Sequence, residues 1–376
     1  MSTAAPGTAF EHGLVIGKFY PPHAGHHFLI DSAASACRRV SVVVMAADVE
    51  TIPLAARVDW LREEYADSHV DVVGIMDNLE VDYEDEDAWA GHVALMREAL
   101  TVSAHAKIPV TAVFTSEPYG AEMARRFEAA DVRLDQSRGT VPISATKVRA
   151  DPIAHWQTIE PPVRAWLARR VVVLGAESTG TTTLSLDLAE ALRSRGGAHA
   201  LTGWVPEYGR TLTVVKLAVA RALAQREQKP EPSIFDLEWI DADFLDVAVR
   251  QTADEDRSAR RGGPVLVCDT DALATTIWQE RYMGATKPDV AEAAAAMPER
   301  ALYILTSDEG VPFEDDGLRD GEHLRAWMTG RFREILAAQG IPWIEVAGSR
   351  DERLGQAIAA VDDLLARGWG LADPLG

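Results

Sequence analysis

Short runs of aliphatic and β-branched residues alternate along the chain with segments whose apolar positions recur every three to four residues. In the first half, strand-like runs lie at residues 14–16, 40–45, 70–75, 110–115 and 132–134, and helix-like segments at 24–38, 55–65, 86–103 and 121–127. This alternation predicts a parallel sheet with helices on both faces. The run Val40–Met45 is almost wholly apolar, as is typical of a strand buried on both faces.

The same alternation starts again after a stretch interrupted by prolines. Pro152 and the pair Pro161–Pro162 would break a long helix, and strand-like runs follow at 171–174, 265–268, 302–305 and 343–346. We therefore predict an α/β protein of two tandem, doubly wound parallel-sheet domains. Their expected ranges are 13–160 and 161–370.

Composition narrows the classes of partner. With 37 Lys and Arg against 58 Asp and Glu, the formal net charge is −21, which disfavours binding to a nucleic-acid polyanion. The first strand-like run begins by Leu14, so we also expect no DNA-binding domain before it. Apolar runs are too short to span a bilayer, and no signal peptide is evident. Cys37 and Cys268 are expected to be buried thiols in a cytoplasmic protein.

The turn between the first strand and the first helix concentrates residues that suit an anion. It reads GKFYPPHAGH over residues 17–26, so His23 and His26 fall at the start of a helix, beside Lys18. The N–H groups and dipole of a helix N-terminus favour phosphate, and imidazoles three residues apart can both donate to it. The simpler interpretation is that the histidines only cap the helix, but so many such features in one connection favour a phosphate site.

This turn resembles the nucleotidylyltransferase signature G-x-F-x-P-x-H-x-G-H at every position, and Ile143–Arg149 resembles the second signature, I-S-x-T-x-x-R. The resemblance implies that a substrate phosphate attacks the α-phosphorus of ATP and that pyrophosphate leaves, with Mg²⁺ bridging phosphate oxygens. It assigns catalytic roles to His23, His26, Lys18 and Arg149. It assigns ATP binding to Gly17, Phe19, Gly25, Ser144, Thr146 and Lys147.

Two longer stretches, Thr115–Phe127 and Ile143–Leu184, resemble the bifunctional nicotinamide-nucleotide adenylyltransferase/ribosylnicotinamide kinases, the NadR-like family. That resemblance implies nicotinamide mononucleotide as acceptor and NAD as product. The expected acceptor-binding residues are Trp89, Ser116, Glu117 and Tyr119. Trp89 would stack on the nicotinamide ring, although a single aromatic residue at helical spacing is more often part of a core.

The second half contains GAESTGTTTL after a β-branched strand, the setting of a phosphate-binding P-loop. Gly175 and Gly180 have P-loop spacing, and Thr182 stands where a Mg²⁺-binding hydroxyl is expected. Thr181 replaces the usual lysine, so the charge that lysine supplies must come from elsewhere or be missing. The expected ATP-binding residues are Gly175, Gly180, Thr181, Thr182, Thr183, Arg319 and Arg325, the two arginines belonging to a lid-like segment.

The remaining kinase-like residues surround this loop in the sequence. Asp269 ends a strand and is expected to bind Mg²⁺ with Thr182 and to accept the proton of the riboside hydroxyl. Riboside binding is expected from Glu207, Arg210 and Asp271. Two interpretations stay open: a working kinase, in which a lid arginine or Lys216 replaces the lysine, or a degenerate regulatory module.

We therefore expect an NAD-salvage enzyme, a homo-oligomer, that uses ATP with Mg²⁺. Its expected partners are ATP, nicotinamide mononucleotide, nicotinamide riboside and NAD. Two alternatives stay open. The first domain could adenylylate another phosphorylated acceptor, or the chain could be a nucleotide-sensing binding protein without turnover.

Overall fold

The computed structural model describes residues 8–314, 319 and 321–375, and the chain forms two compact units. The first unit contains the described residues up to Val163 together with those from Trp369 onward, and the second spans Arg164–Gly368. The sequence placed the boundary between residues 160 and 161, whereas the structure divides within a helix that begins there. Residues 369 and 370, which the sequence assigned to the second domain, belong to the first unit.

The first unit is a five-stranded, all-parallel sheet in the order β3-β2-β1-β4-β5. Its strands are β1 Phe10–Gly17, β2 Cys37–Ala46, β3 Val70–Met76, β4 Ala112–Thr115 and β5 Ala130–Arg133. Its helices are α1 Ala24–Ala36, α2 Leu54–Glu64, α3 Glu86–Thr101, α4 Gly120–Phe127 and α5 Ala145–Ala150, and α6 Pro161–Leu167 contains the boundary. The sheet is buried on both faces, since Val15 and Val42 join one core and Leu14 and Val43 the other. Cys37 and Cys268 are buried free thiols, as predicted.

The second unit is another five-stranded parallel sheet, in the order β10-β9-β6-β8-β7. Its strands are β6 Arg169–Gly175, β7 Gly203–Val205, β8 Val265–Asp269, β9 Leu302–Thr306 and β10 Trp343–Val346. Its helices are α7 Thr181–Arg193, α8 Tyr208–Glu227, α9 Asp241–Arg261, α10 Ala272–Met283, α11 Pro288–Ala295, α12 Arg325–Gln339 and α13 Arg350–Ala366.

The two sheets confirm the predicted fold class. In each, the order places a chemistry-bearing turn beside a neighbouring strand end: β1 pairs with β4, and β6 pairs with β8. Ligands of such sheets bind outside the carboxyl ends of the strands, where the order changes direction. Within the described part of the chain, no helix has the length and apolar character needed to cross a membrane.

Candidate functional site

The histidine turn of the first unit is shaped by the start of α1. His23 is the N-cap residue, and its Nδ1 accepts a hydrogen bond from Gly25 N at 3.0 Å. The rings of His23 and His26 lie 3.9 Å apart between centroids, and the Phe19 ring lies 4.8 Å from that of His26. A Cβ at position 25 would stand 2.9 Å from His23 Cε1, so glycine is needed there for the imidazole to cap. The capping and phosphate interpretations are therefore compatible.

Burial decides the protonation of these imidazoles. Desolvation lowers the pKa of His23 to about 3 and that of His26 well below its ordinary value, and the neighbouring His27 and Arg138 act in the same direction. Both rings are therefore neutral near pH 7. Because His23 Nδ1 accepts a hydrogen bond, its proton lies on Nε2, which can donate to an anion. Among the described residues, His26 Nδ1 is buried with no hydrogen-bond partner.

Tyr20, which the sequence analysis did not single out, joins the two signatures. Two guanidinium groups lie close to its ring, with Arg57 Cζ 4.3 Å and Arg149 Cζ 5.0 Å from the ring centroid. Arg149 also donates to the Tyr20 carbonyl at 2.8 Å. Lys18 Nζ lies 3.4 Å from Glu50, which also pairs with the buried Arg57 at 2.6 Å. Lys18 and Arg149 are thus both fixed to the histidine turn.

Most of the polar side chains of the second signature make hydrogen bonds within α5 or with the residues just before it. Ser144 caps α5 and accepts from Lys147 N at 3.3 Å, while Lys147 Nζ donates to Pro142 O at 3.3 Å. Thr146 accepts from Arg149 at 3.4 Å.

Gly17, at the end of β1, leaves room for the Phe19 ring, since a Cβ there would stand 3.3 Å from it.

The connection after β4 carries the expected acceptor residues. Ser116 is half-buried, and Glu117 pairs with Arg138 at 3.1 Å. Tyr119 stacks on Tyr83 with centroids 5.7 Å apart. Arg138 and Tyr83 were missed, since each is a single residue in an irregular segment.

Trp89 lies in the core beneath this connection. It is 8% exposed, and its indole N–H donates to the Tyr83 carbonyl at 3.1 Å. The Arg126 guanidinium lies 5.2 Å from the centre of its ring. The aromatic side chain that solvent reaches is Tyr83, 61% exposed.

In the second unit, close packing explains Gly175 of the P-loop, and backbone conformation explains Gly180. A Cβ on Gly175 would stand 2.2 Å from Thr306 Oγ1, and Gly180 has φ +86°, a conformation that favours glycine. The side chains of Thr181 and Thr182, at the start of α7, are close enough to Asp269 to lower the pKa of its carboxyl. Burial nevertheless raises the pKa of Asp269 to about 6. A buried carboxylate beside hydroxyl oxygens is a donor set that suits Mg²⁺.

A cavity opens beside this loop. Glu207, Arg210 and Arg319 line it together with Asp269 and the loop. Burial and the nearby Asp269 raise the pKa of Glu207 to about 8, and Arg210 opposes them. The structure thus brings these predicted residues together. Thr183 faces a second cavity, which Arg319 also lines.

Part of the lining of the first cavity is aromatic, which the sequence analysis missed. Trp239, Phe244, Trp278 and Tyr282 line it. The rings of Trp239 and Tyr282 are 5.5 Å apart, and those of Phe244 and Tyr282 are 6.1 Å apart. These residues come from three separate segments, so no local pattern joins them. An aromatic cleft of this kind suits a flat ring.

The two lid arginines differ in position. Arg319 donates to Ser178 Oγ at 3.2 Å and to the Glu314 carbonyl at 2.6 Å, at the edge of both cavities. Arg325 is only 9% exposed and donates to the Val311 carbonyl at 2.9 Å and more distantly, at 3.5 Å, to that of Ser178. Arg325 therefore holds backbone in place.

Two further residues do not have the surroundings that their expected roles require, Asp271 as a riboside ligand and Lys216 as a substitute for the P-loop lysine. Asp271 is fully buried: it caps α10 and accepts from Tyr303 at 2.9 Å and Arg300 at 3.1 Å. The structure therefore does not bring its carboxylate to the cavity as a riboside ligand. Lys216 pairs with Asp243 at 2.5 Å, so its charge is already matched by a carboxylate.

Two parallel-sheet units, one with a nucleotidylyltransferase-type turn and one with a P-loop, define a two-domain nucleotide-binding protein. A family model described as an AAA domain matches residues 170–353. The trifunctional NAD biosynthesis/regulator protein NadR of Salmonella typhimurium is 25% identical over 324 residues, 82% of this chain and 71% of that protein. NadR of Escherichia coli is 24% identical over the same shares.

Solved structures show the same two-unit fold. A crystal structure of NadR in complex with NR matches with a TM-score of 0.65 at 22% identity, covering 98% of this chain and 99% of that one. A second, in complex with NAD and AMP-PNP, has a TM-score of 0.64 at 21% identity, covering 96% and 98%. The chain is therefore similar to NadR proteins in sequence and shares their fold.

Proposed function

We propose that this protein is an NAD biosynthesis enzyme with two activities. Its first unit transfers the adenylyl group of ATP to nicotinamide mononucleotide, giving NAD and pyrophosphate. Its second unit phosphorylates nicotinamide riboside with ATP. The relatives support the proposal, since the curated ones are named for NAD biosynthesis and the solved ones hold NR, NAD and AMP-PNP.

In adenylyl transfer, an oxygen of the acceptor phosphate forms a bond to the α-phosphorus of ATP, and the bond to the β-phosphate breaks. The chain's contribution would be to orient the two phosphates and stabilise the charge that develops on pyrophosphate. The neutral imidazoles of His23 and His26 would donate N–H groups. Positive charge would come from Lys18 and Arg149.

The acceptor would bind after β4, where Tyr83 and Tyr119 stack and Glu117 pairs with Arg138. Tyr83 offers an exposed aromatic face for a nicotinamide ring. Trp89 would support this platform from the core instead of touching the ring itself.

One observation carries the kinase proposal: a single cavity of the second unit is lined both by the P-loop with Asp269 and by a cluster of aromatic rings. That arrangement suits a nucleoside whose 5′-hydroxyl faces the γ-phosphate of ATP. Asp269 would accept the hydroxyl proton and, with Thr182, would hold Mg²⁺, which neutralises charge on the phosphates when bound. Glu207 and Arg210, which line the same cavity, would bind the sugar.

The missing P-loop lysine has a candidate substitute. Arg319 lines both cavities and contacts the P-loop at Ser178. Arg325 and Lys216 are engaged with backbone carbonyls and with Asp243. We therefore assign the compensating charge to Arg319.

Two assays on the purified protein test the proposal. Pyrophosphate release that requires both ATP and nicotinamide mononucleotide supports adenylyl transfer, and replacing that acceptor by a pantetheine or flavin phosphate tests the alternative. Formation of ADP that requires nicotinamide riboside supports the kinase. Tight nucleotide binding with no turnover of either kind would instead indicate a sensor.

A further inference from the structure

The last described residues of the chain, 369–375, belong to the first unit, although α13 before them lies in the second. We call residues 370–375 the C-terminal strap. Ala372 N donates to Thr51 Oγ1 at 2.8 Å, and Thr51 Oγ1 donates to the Gly370 carbonyl at 3.3 Å. The Thr51 hydroxyl, in the loop after β2, thus holds the backbone of the strap by one hydrogen bond that it donates and one that it accepts.

The strap also reaches the histidine turn. The Tyr20 hydroxyl donates to the Ala372 carbonyl at 2.9 Å and accepts from Thr51 N at 2.9 Å. The Lys18 ammonium donates to the Leu375 carbonyl. The strap therefore contacts Lys18 directly. It also contacts Tyr20, the residue whose ring and carbonyl hold Arg149.

Tyr20 carries the effect of the strap to the second signature. It is 1% exposed, so its hydroxyl needs the two partners that Ala372 and Thr51 supply. Its ring and its carbonyl both hold Arg149. A displacement of the strap would release the Tyr20 hydroxyl and with it the position of the Arg149 guanidinium.

We propose that the C-terminal strap is a positioning element of the adenylyltransferase site, acting through Tyr20 and Lys18. This inference rests on the proposed function. Among the described residues, the strap contacts these side chains through backbone carbonyls, so at Lys18, whose ammonium also faces Glu50, a phosphate would replace a neutral group of the strap. The strap therefore fixes the cations before ATP binds and does not oppose ATP. Preorganisation of this kind raises the rate, because a small misplacement of a charge-stabilising group costs up to ~10²-fold.

The test uses the full-length chain with two substitutions at one position. Thr51→Val keeps the shape of the side chain but removes the two hydrogen bonds that the Thr51 hydroxyl makes with the strap, and Thr51→Ser keeps the hydroxyl. Adenylyl transfer should fall roughly tenfold in Thr51→Val, from the loss of two hydrogen bonds. It should stay near wild type in Thr51→Ser. Riboside phosphorylation, measured on the same samples, should be unchanged in both and reports intact folding.

A second variant removes the strap itself. A chain ending at Gly368 retains the whole second unit and should lose up to ~10²-fold in kcat for adenylyl transfer, with a raised KM for ATP. A synthetic peptide of residues 369–376 should restore part of that rate. Equal rates in Thr51→Val and Thr51→Ser, or a truncated chain as fast as wild type or faster, would overturn the proposal.

A readout besides turnover separates this inference from the proposed function. If wild type releases no pyrophosphate with nicotinamide mononucleotide, the proposed function fails. The strap is then judged by calorimetry with ATP alone. Weaker ATP binding to the first unit in Thr51→Val than in Thr51→Ser supports it, and equal binding refutes it. To isolate the first unit, the P-loop site is blocked in both by Thr182→Ala.

Discussion

The buried carboxyl of Asp269 makes the stability of the second unit depend on pH. Asp269 is 2% exposed, and burial raises its pKa from 3.8 to about 6. A carboxyl whose pKa is raised on folding stabilises the folded state below its unfolded pKa, and this contribution is lost as the pH rises through the folded pKa. This rise of about two units in the pKa of Asp269 lowers the free energy of unfolding by ~3 kcal/mol at pH 8.

Asp269→Asn removes the titration and leaves a neutral side chain of the same shape. At pH 8 the variant should regain the ~3 kcal/mol that ionisation of the buried carboxyl costs. It should lose ~1 kcal/mol, because an amide oxygen is a poorer hydrogen-bond acceptor for Thr181 and Thr182 than a carboxylate. We therefore expect the second unit of the variant to be ~2 kcal/mol more stable than wild type at pH 8. The same residue is proposed to bind Mg²⁺ and accept a proton, so riboside phosphorylation should be abolished. The substitution thus exchanges activity for stability.

The assay is urea unfolding at several pH values, followed by hydrogen exchange of the peptide that contains β8. About half of the effect falls between pH 5 and pH 8, so the stability difference between variant and wild type should grow by ~1.5 kcal/mol across that range. Asp254→Asn is the matched control, because Asp254 lies on the surface of α9, paired with Arg257 at 2.5 Å. A difference that stays constant or shrinks with rising pH would refute the reasoning.

Three further substitutions test the two sites. His26→Ala should fold normally but lower adenylyl transfer by ~10²-fold, as expected for one lost charge-stabilising donor; a near-normal kcat would contradict that role. Arg319→Ala should lower riboside phosphorylation by ~10³-fold, while Arg325→Ala should chiefly lower the melting temperature, and an unaffected rate in Arg319→Ala would leave the P-loop without a substitute charge. Trp239→Ala should raise the KM for nicotinamide riboside more than tenfold with little change in the KM for ATP; equal shifts in both would place the riboside elsewhere.

The sequence predicted the elements that carry strong local signals. The β-branched run of β2 and the helix that starts at Ala24 lie where the pattern placed them. The turns at Gly17–His26 and Gly175–Thr182 stand at strand ends, as expected, because hydrophobic period and glycine spacing are local properties. The three-residue strand β7 and the long helices α8 and α9 were not predicted. β7 is too short for a pattern, and exposed apolar residues such as Val219 blur the amphipathic signal of α8.

What the sequence alone determined was therefore the fold class and the position of the two turns at which we propose phosphate binding, since each depends on residues that are neighbours along the chain. Tertiary structure decided which charged side chains are available to bind a ligand. Asp271 and Arg325 resembled ligand residues in the sequence, but burial commits them to Arg300 and to backbone carbonyls. Only folding joins the aromatic cleft of Trp239 and Tyr282, or brings Ala372 to Tyr20. Such contacts depend on distance in space, which a one-dimensional pattern does not contain.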